Sequence, residues 1–278
     1  MSVQNNKKNL ILKILVYSII VIICIWSLFP IYWLINTSLK NKAEVVTSPP
    51  RFIPQDPTAE NYADAWNIFL NPSLKNSFIV AIISTAIVVL VGSLASFGFS
   101  RFQFRGKNSL LFWIISTRMF PPIVIAIPFF LLLNTLHLID TYPGLIIAHV
   151  SMNLPLSVWI LKNFFDDLPR EIEEAASVDG CSITQVFFKI AFPLAIPGVI
   201  ACFILSFIFS WNEFLLALVL TRSLARTAPI ALSALETTGG IYWGRVGSYS
   251  IFTIAPIIVL YFIVQRNLVR GLTLGAIK

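Results

Sequence analysis

Six apolar runs mark the chain, at about residues 14–33, 77–99, 110–133, 142–161, 199–220 and 247–264. Each is close to the roughly 20 apolar residues that an α-helix needs to cross a bilayer core. The pattern predicts an all-α integral membrane protein with six transmembrane helices. It divides the chain into an N-terminal segment 1–13, a first helix 14–33, a loop 34–76, a core 77–264 with five further helices, and a tail 265–278. Lys7, Lys8 and Lys13 precede the first run. Its apolar stretch is too long for a signal peptide and no A-x-A-like cleavage site follows, so it is read as a retained helix.

Composition agrees. Of 278 residues, 57% are hydrophobic and 12% charged, with a mean hydropathy of +0.82. Soluble domains carry about 25% charged residues. This chain cannot cover an ordinary water-facing surface, which excludes a soluble enzyme, a nucleic-acid binder and a disordered protein. The net charge of +7 is then read as topology. With the N-terminus in the cytoplasm, twelve Lys and Arg fall on the inner side and seven on the outer, with Arg118 inside a span. The short connection 101–107 carries Arg101, Arg105 and Lys107 and no acid. Both termini are expected in the cytoplasm of a multi-pass protein of the cell inner (plasma) membrane, among lipid. Cys24 and Cys202 lie in apolar runs and Cys181 in a polar loop; no spacing suggests metal.

Two outer connections are long. The first, 34–76, holds Pro49, Pro50, Pro54, Pro57 and Pro72, and residues 59–69 form an amphipathic pattern with Trp66 and Phe69 at the interface. The second, 221–246, holds Gly239-Gly240 and Tyr242-Trp243. Pro121, Pro122, Pro128, Pro155 and Pro256 are positioned to break helices, which a membrane tolerates where neighbours satisfy the freed carbonyls. No internal repeat is visible.

Between the fourth and fifth runs the pattern changes. Residues 166–180 contain Asp166, Asp167, Glu171, Glu173, Glu174 and Asp179, six of the thirteen acids. Pro169 suits a helix start and Gly180 a helix end. Ile172, Ala175, Ala176 and Asp179 recur at helical spacing and make a face of small residues that another protein can approach closely. A second helix follows. Ser182 and Gln185 form a capping-box pair; Ile183, Val186, Phe187 and Ile190 make an apolar stripe; Pro193 and Pro197 end it. On pattern alone, an amphipathic connector lying in the membrane interface accounts for the segment equally well.

Glu174-Ala175-Ala176, three residues, Gly180, nine residues, Ile190, one residue, an apolar residue and Pro193 resemble the EAA loop of binding-protein-dependent ABC importer permeases. Phe192 stands where that pattern usually has Leu. SWNEFLLALVLT (210–221), RTAPIAL (226–232) and QRNLVRGLTLGAIK (265–278) are similar to MalG-like permeases of carbohydrate importers, and the resemblance runs from about Leu28 to the end. It implies the type I ABC importer permease fold with cytoplasmic EAA coupling helices in loop 166–193. It also implies a second permease subunit, two ATP-binding subunits and an extracytoplasmic sugar-binding protein. By the same resemblance Glu174, Ala175, Ala176, Asp179, Gly180, Ile190 and Pro193 couple to the ATPase. The chain has no GxxxxGK[ST] loop. It is therefore expected to be non-catalytic and to hold no cofactor, with ATP and Mg bound by the partner ATPase.

Arg118 and Glu213 are the two charges inside the runs. Intramembrane charges face a cavity or a partner, so both are candidates for a translocation path. Trp211 and Asn212 join them as an aromatic face and an amide suited to sugar hydroxyls. His137 and His149 show no partner pattern. The expected solute is a di- or oligosaccharide; glycerol 3-phosphate or a polyol would suit the same machine. An ion-coupled secondary transporter would call for paired inner acids and repeated halves, against one intramembrane acid and no repeat here. A non-transporting membrane scaffold is the remaining reading.

Overall fold

The computed structural model describes residues 2–67, 71–237 and 240–273. In chain order the helices are α1 (Ser2–Ser38), α2 (Lys42–Val45), α3 (Glu60–Ala65), α4 (Asn71–Arg101), α5 (Lys107–Ser116), α6 (Pro122–Thr135), α7 (Tyr142–Asp166), α8 (Arg170–Val178), α9 (Ile183–Val186), α10 (Phe192–Leu194), α11 (Ile196–Trp211), α12 (Leu215–Leu220) and α13 (Ala228–Ser233). A small antiparallel pair, β1 (Glu236–Thr237) and β2 (Gly240–Ile241), precedes α14 (Trp243–Thr273). The chain forms two compact units.

The first unit comprises α1–α3, the hairpin and the start of α14. Every side chain from Leu12 to Tyr32 is exposed, as a helix facing lipid or a partner must be in an isolated chain. Its far end is tied down by polar contacts. Asn61 donates to the carbonyls of Ser38 and Lys40 at 2.9 and 2.8 Å, and Ser248 Oγ donates to Asn61 O at 2.9 Å. The amphipathic pattern at 59–69 becomes α3, with Trp66 exposed beyond its end; Phe69 lies outside the described residues, as does Gly239. The pairing of β1 with β2 was not anticipated from the sequence.

The second unit holds α4–α13 and the rest of α14, and its core is the packing of α4, α7 and α11. Small residues permit it. A Cβ on Gly92 would fall 2.2 Å from Ser157 Oγ, and one on Gly198 would fall 2.3 Å from the Phe164 ring. Ser96 Oγ donates to Val158 O at 2.9 Å and Ser157 Oγ to Val88 O at 3.3 Å. Close approach and interhelical hydroxyl bonds are what associate helices where burial from water is no longer a driving force. Val89, Phe97, Leu161, Phe165, Phe187 and Cys202 fill one end of this core. Val80, Ala126, Leu133, Leu145 and Leu216 fill the other.

Four helices are individually long and apolar enough to cross a membrane: Leu12–Ser38, Pro72–Arg101, Tyr142–Asp166 and Trp243–Gln265. Two bent helix pairs bring the number to six only where each pair counts as a single broken span. The run 110–133 bends by 99° between Lys107–Met119 and Pro122–Thr135. Phe120 is extended there, at φ −70° and ψ 131°, because the residue before Pro121 is driven out of the helical region. The run 199–220, expected as one helix, is instead α11 and α12 separated at Asn212–Phe214. A second bend of 76° parts Ile183–Leu194 from Ile196–Trp211.

A bracket of short helices and two broken spans

The segment 166–193 folds as a helix–turn–helix bracket. α8 ends in a full Schellman motif: Cys181 N–H donates to Ala176 O at 3.0 Å and Gly180 N–H to Ser177 O at 3.1 Å, with Gly180 at φ +86°. The capping box that opens α9 is also formed, with Ser182 N–H donating to Gln185 Oε1 at 2.8 Å and Gln185 N–H to Ser182 Oγ at 3.4 Å. Val186 and Phe187 turn into the core, Ile190 is half-buried, and Ile183 and Pro193 are exposed. A π turn covers Phe187–Ala191. Pro193, one turn on, has no N–H to continue a regular ladder.

What fixes α8 is a residue that sequence reasoning passed over. Glu173 is 8% exposed and grips Arg101 at the end of α4 through both carboxylate oxygens, at 2.6 and 2.7 Å. Arg101 also donates to Ser100 Oγ at 2.7 Å. In the sequence its charge reads only as a topology signal. Of the four positions taken as one small face, Ile172, Ala175 and Asp179 are exposed with Glu174 and Gly180 beside them, while Ala176 turns inward with Glu173. The outward surface of α8 therefore includes Ile172, Glu174, Ala175, Val178 and Asp179.

The break in the fifth span is built around Glu213. Its carboxylate accepts from Leu216 N–H at 2.8 Å and Ala217 N–H at 2.9 Å, capping α12. His149, fully buried on α7, places Nε2 3.6 Å from Glu213 Oε2. Its Nδ1 lies 2.6 Å from Ser210 Oγ, which in turn lies 3.0 Å from Ser84 Oγ. The sequence shows no partner pattern for His149. A weaker signal is present, since His149, Asn153 and Ser157 form a polar i, i+4, i+8 stripe on an apolar helix. Trp211, expected to offer a face to sugar, is instead packed between Phe78 and Phe207, and its indole N–H donates to Thr253 O at 3.1 Å. Packing leaves it no free face. Asn212 is exposed and donates to Ile208 O at 2.9 Å.

Arg118 lies at the break in the third span. One guanidinium nitrogen donates to Met152 O at 2.8 Å, and the group sits 4.9 Å from the Phe209 ring centre. It borders a cavity of about 630 Å³ lined also by Thr117, Phe120, Phe129, Ser151 and Pro155. Arg118 and Glu213 are not paired with each other; each serves a separate break. Elsewhere in this unit Asp140, at φ +58°, accepts from the backbone N–H groups of Arg222, Ser223, Leu224 and Ala225 at 2.9–3.2 Å. Burial opposes its ionisation, but these four donors outweigh burial and hold its carboxyl well below the usual range.

Long apolar helices, charged side chains at the helix breaks and a bracket of short helices place the chain among polytopic membrane proteins. The chain belongs to the family of binding-protein-dependent transport system inner membrane components, whose model matches residues 88–274. It is 38% identical to the trehalose transport system permease protein SugB of Mycobacterium tuberculosis, over 91% of this chain and 93% of that one. It is 34% identical to the sulfoquinovosyl glycerol transport system permease protein SmoH of Agrobacterium fabrum, over 92% and 91%. Among solved structures it resembles a chain of a bacterial ABC transporter involved in the import of the acidic polysaccharide alginate, with a TM-score of 0.75, 25% identity, and 93% and 97% of the two chains covered. This is an ABC importer permease subunit.

Proposed function

We propose that the chain carries a carbohydrate, a di- or oligosaccharide, through the membrane as one of two paired permeases. Two ATP-binding subunits supply the driving force and an external binding protein delivers the sugar. The sugar transporters among its relatives support the solute class. The observation that carries the mechanism is the α8 bracket, clamped from inside by Arg101–Glu173 and closed by Gly180, with Glu174, Ala175 and Asp179 facing outward. In this reading that face docks on the ATPase, and Ile190 and Pro193 join the bracket to the fifth span. The chain itself makes and breaks no covalent bond; ATP and Mg belong to the partner. Closure of the ATPases favours one of two access states only through a difference in affinity for them. The breaks at Phe120–Pro121 and Asn212–Phe214, with Arg118 and Glu213, are where the spans can re-aim.

Reconstitution tests this reading. Proteoliposomes holding the chain, its neighbouring permease, the ATPase and the binding protein should accumulate sugar only with ATP and only when all parts are present. Uptake driven by an ion gradient without ATP would overturn it. Both termini and α8 are assigned to the cytoplasm. A probe cysteine at Asn108 or Ser177 should accordingly be shielded from an impermeant external reagent, and one at Thr58 labelled.

A further inference from the structure

The intramembrane charges of this chain are unevenly matched. Glu213 accepts from two backbone N–H groups, with His149 Nε2 3.6 Å away. Arg118 offers five N–H donors, of which Met152 O takes one. Among the described residues no carboxylate pairs with it. A charge within an apolar run requires a partner, and Arg118 borders a cavity of the size that holds small ligands. The lining is suited to a saccharide: Phe120 and Phe129 for the apolar faces of the rings, and Thr117 and Ser151, whose hydroxyls donate to Ile114 O and Ala148 O and keep lone pairs to accept from a sugar. The planar fork of Arg matches a carboxylate, sulfonate or phosphate in two-point geometry, which a neutral hydroxyl cannot reproduce.

We infer that the cavity at the third-span break is a binding site for an anionic saccharide, with Arg118 reading the acid group. This rests on the proposed carbohydrate transport and narrows its solute class. Phe209, against which the guanidinium sits, and Met152 O hold the fork in place as positioning groups.

Binding to the purified full importer, measured by titration calorimetry, tests the assignment with two probes of similar size: lactose, which is neutral, and lactobionate, which carries a carboxylate. Lactobionate should bind at least about tenfold tighter, as one charge-assisted contact confers. Arg118→Gln should abolish that preference, and Arg118→Lys should keep part of it. Equal affinity for the two probes, no lactobionate binding, or a preference that survives Arg118→Gln would each overturn the assignment. Loss of the second permease from Arg118→Gln preparations would overturn it too, by making Arg118 a subunit-pairing residue. ATP-driven uptake of the native sugar by the parent separates the two levels. If it persists while the charge preference is absent, only the Arg118 site fails; if the parent has no such uptake, the importer reading fails with it.

Discussion

Glu173 immediately precedes the Glu174-Ala175-Ala176 triplet and makes the ion pair that holds it. Because both oxygens are engaged and both side chains are about one-tenth exposed, Glu173→Ala leaves Arg101 without its counter-charge. That change should cost about 2–3 kcal/mol. In thermal unfolding of the purified complex, Arg101→Ala added to Glu173→Ala should lower stability little further, since the pair is lost once. Asp140 has a different signature. Its carboxyl is held below the ordinary value by four backbone donors, so it stabilises the fold fully above the unfolded-state pKa of about 3.9. That contribution is lost as pH falls below that value and through the folded-state one. Asp140→Asn should therefore be less stable than the parent at pH 7, with the gap closing as the buffer is taken below about pH 4; a gap unchanged by acid would contradict the assignment. The Gly180 turn and the Ser182–Gln185 box were legible in the sequence because each is a local rule satisfied within a few residues. Glu173–Arg101 and His149–Glu213 were not, because each joins residues more than sixty positions apart. Only the polar stripe along α7 hinted at the second.

At the element level, hydropathy locates the four long apolar helices and overlaps both bent pairs, but it does not show the interruptions. Pro121-Pro122 was a visible breaker; the 99° bend it brings was not. The break at Asn212–Phe214 had no proline to mark it, and Glu213 read as a charge inside a helix when its part is to start a new one. Trp211 was misjudged for a related reason: an aromatic beside a polar residue looks available until the neighbouring helices are placed. The α4–α7 contact gives a sharp test. Gly92→Leu forces side-chain atoms into Ser157, whose Oγ already lies 2.2 Å from a Cβ position. Helices cannot separate there without breaking the Ser96–Val158 and Ser157–Val88 bonds. The change should cost about 1–3 kcal/mol or more and appear as a lower yield of folded permease in detergent. Gly98→Leu, with open space at its Cβ, should express normally.

As a whole molecule, the chain in the proposed reading is driven from outside itself, through the exposed face of α8. Gly180→Val tests the turn: its Cβ meets no neighbour, so the harm is confined to a β-branched residue at φ +86°. Ala175→Arg tests the face, because Ala175 is exposed and a long charged side chain there leaves this chain's own packing intact. Ala176 would test folding as much as docking, being turned inward. The decisive measurement is ATP-driven sugar uptake, at matched permease levels in the membrane, alongside co-purification of the ATPase. Both variants should insert and pair with the second permease yet lose at least about tenfold in uptake, with weaker ATPase recovery for Ala175→Arg. Parent-like uptake and ATPase recovery from both would contradict it, and would leave the bracket as a connector lying in the membrane interface.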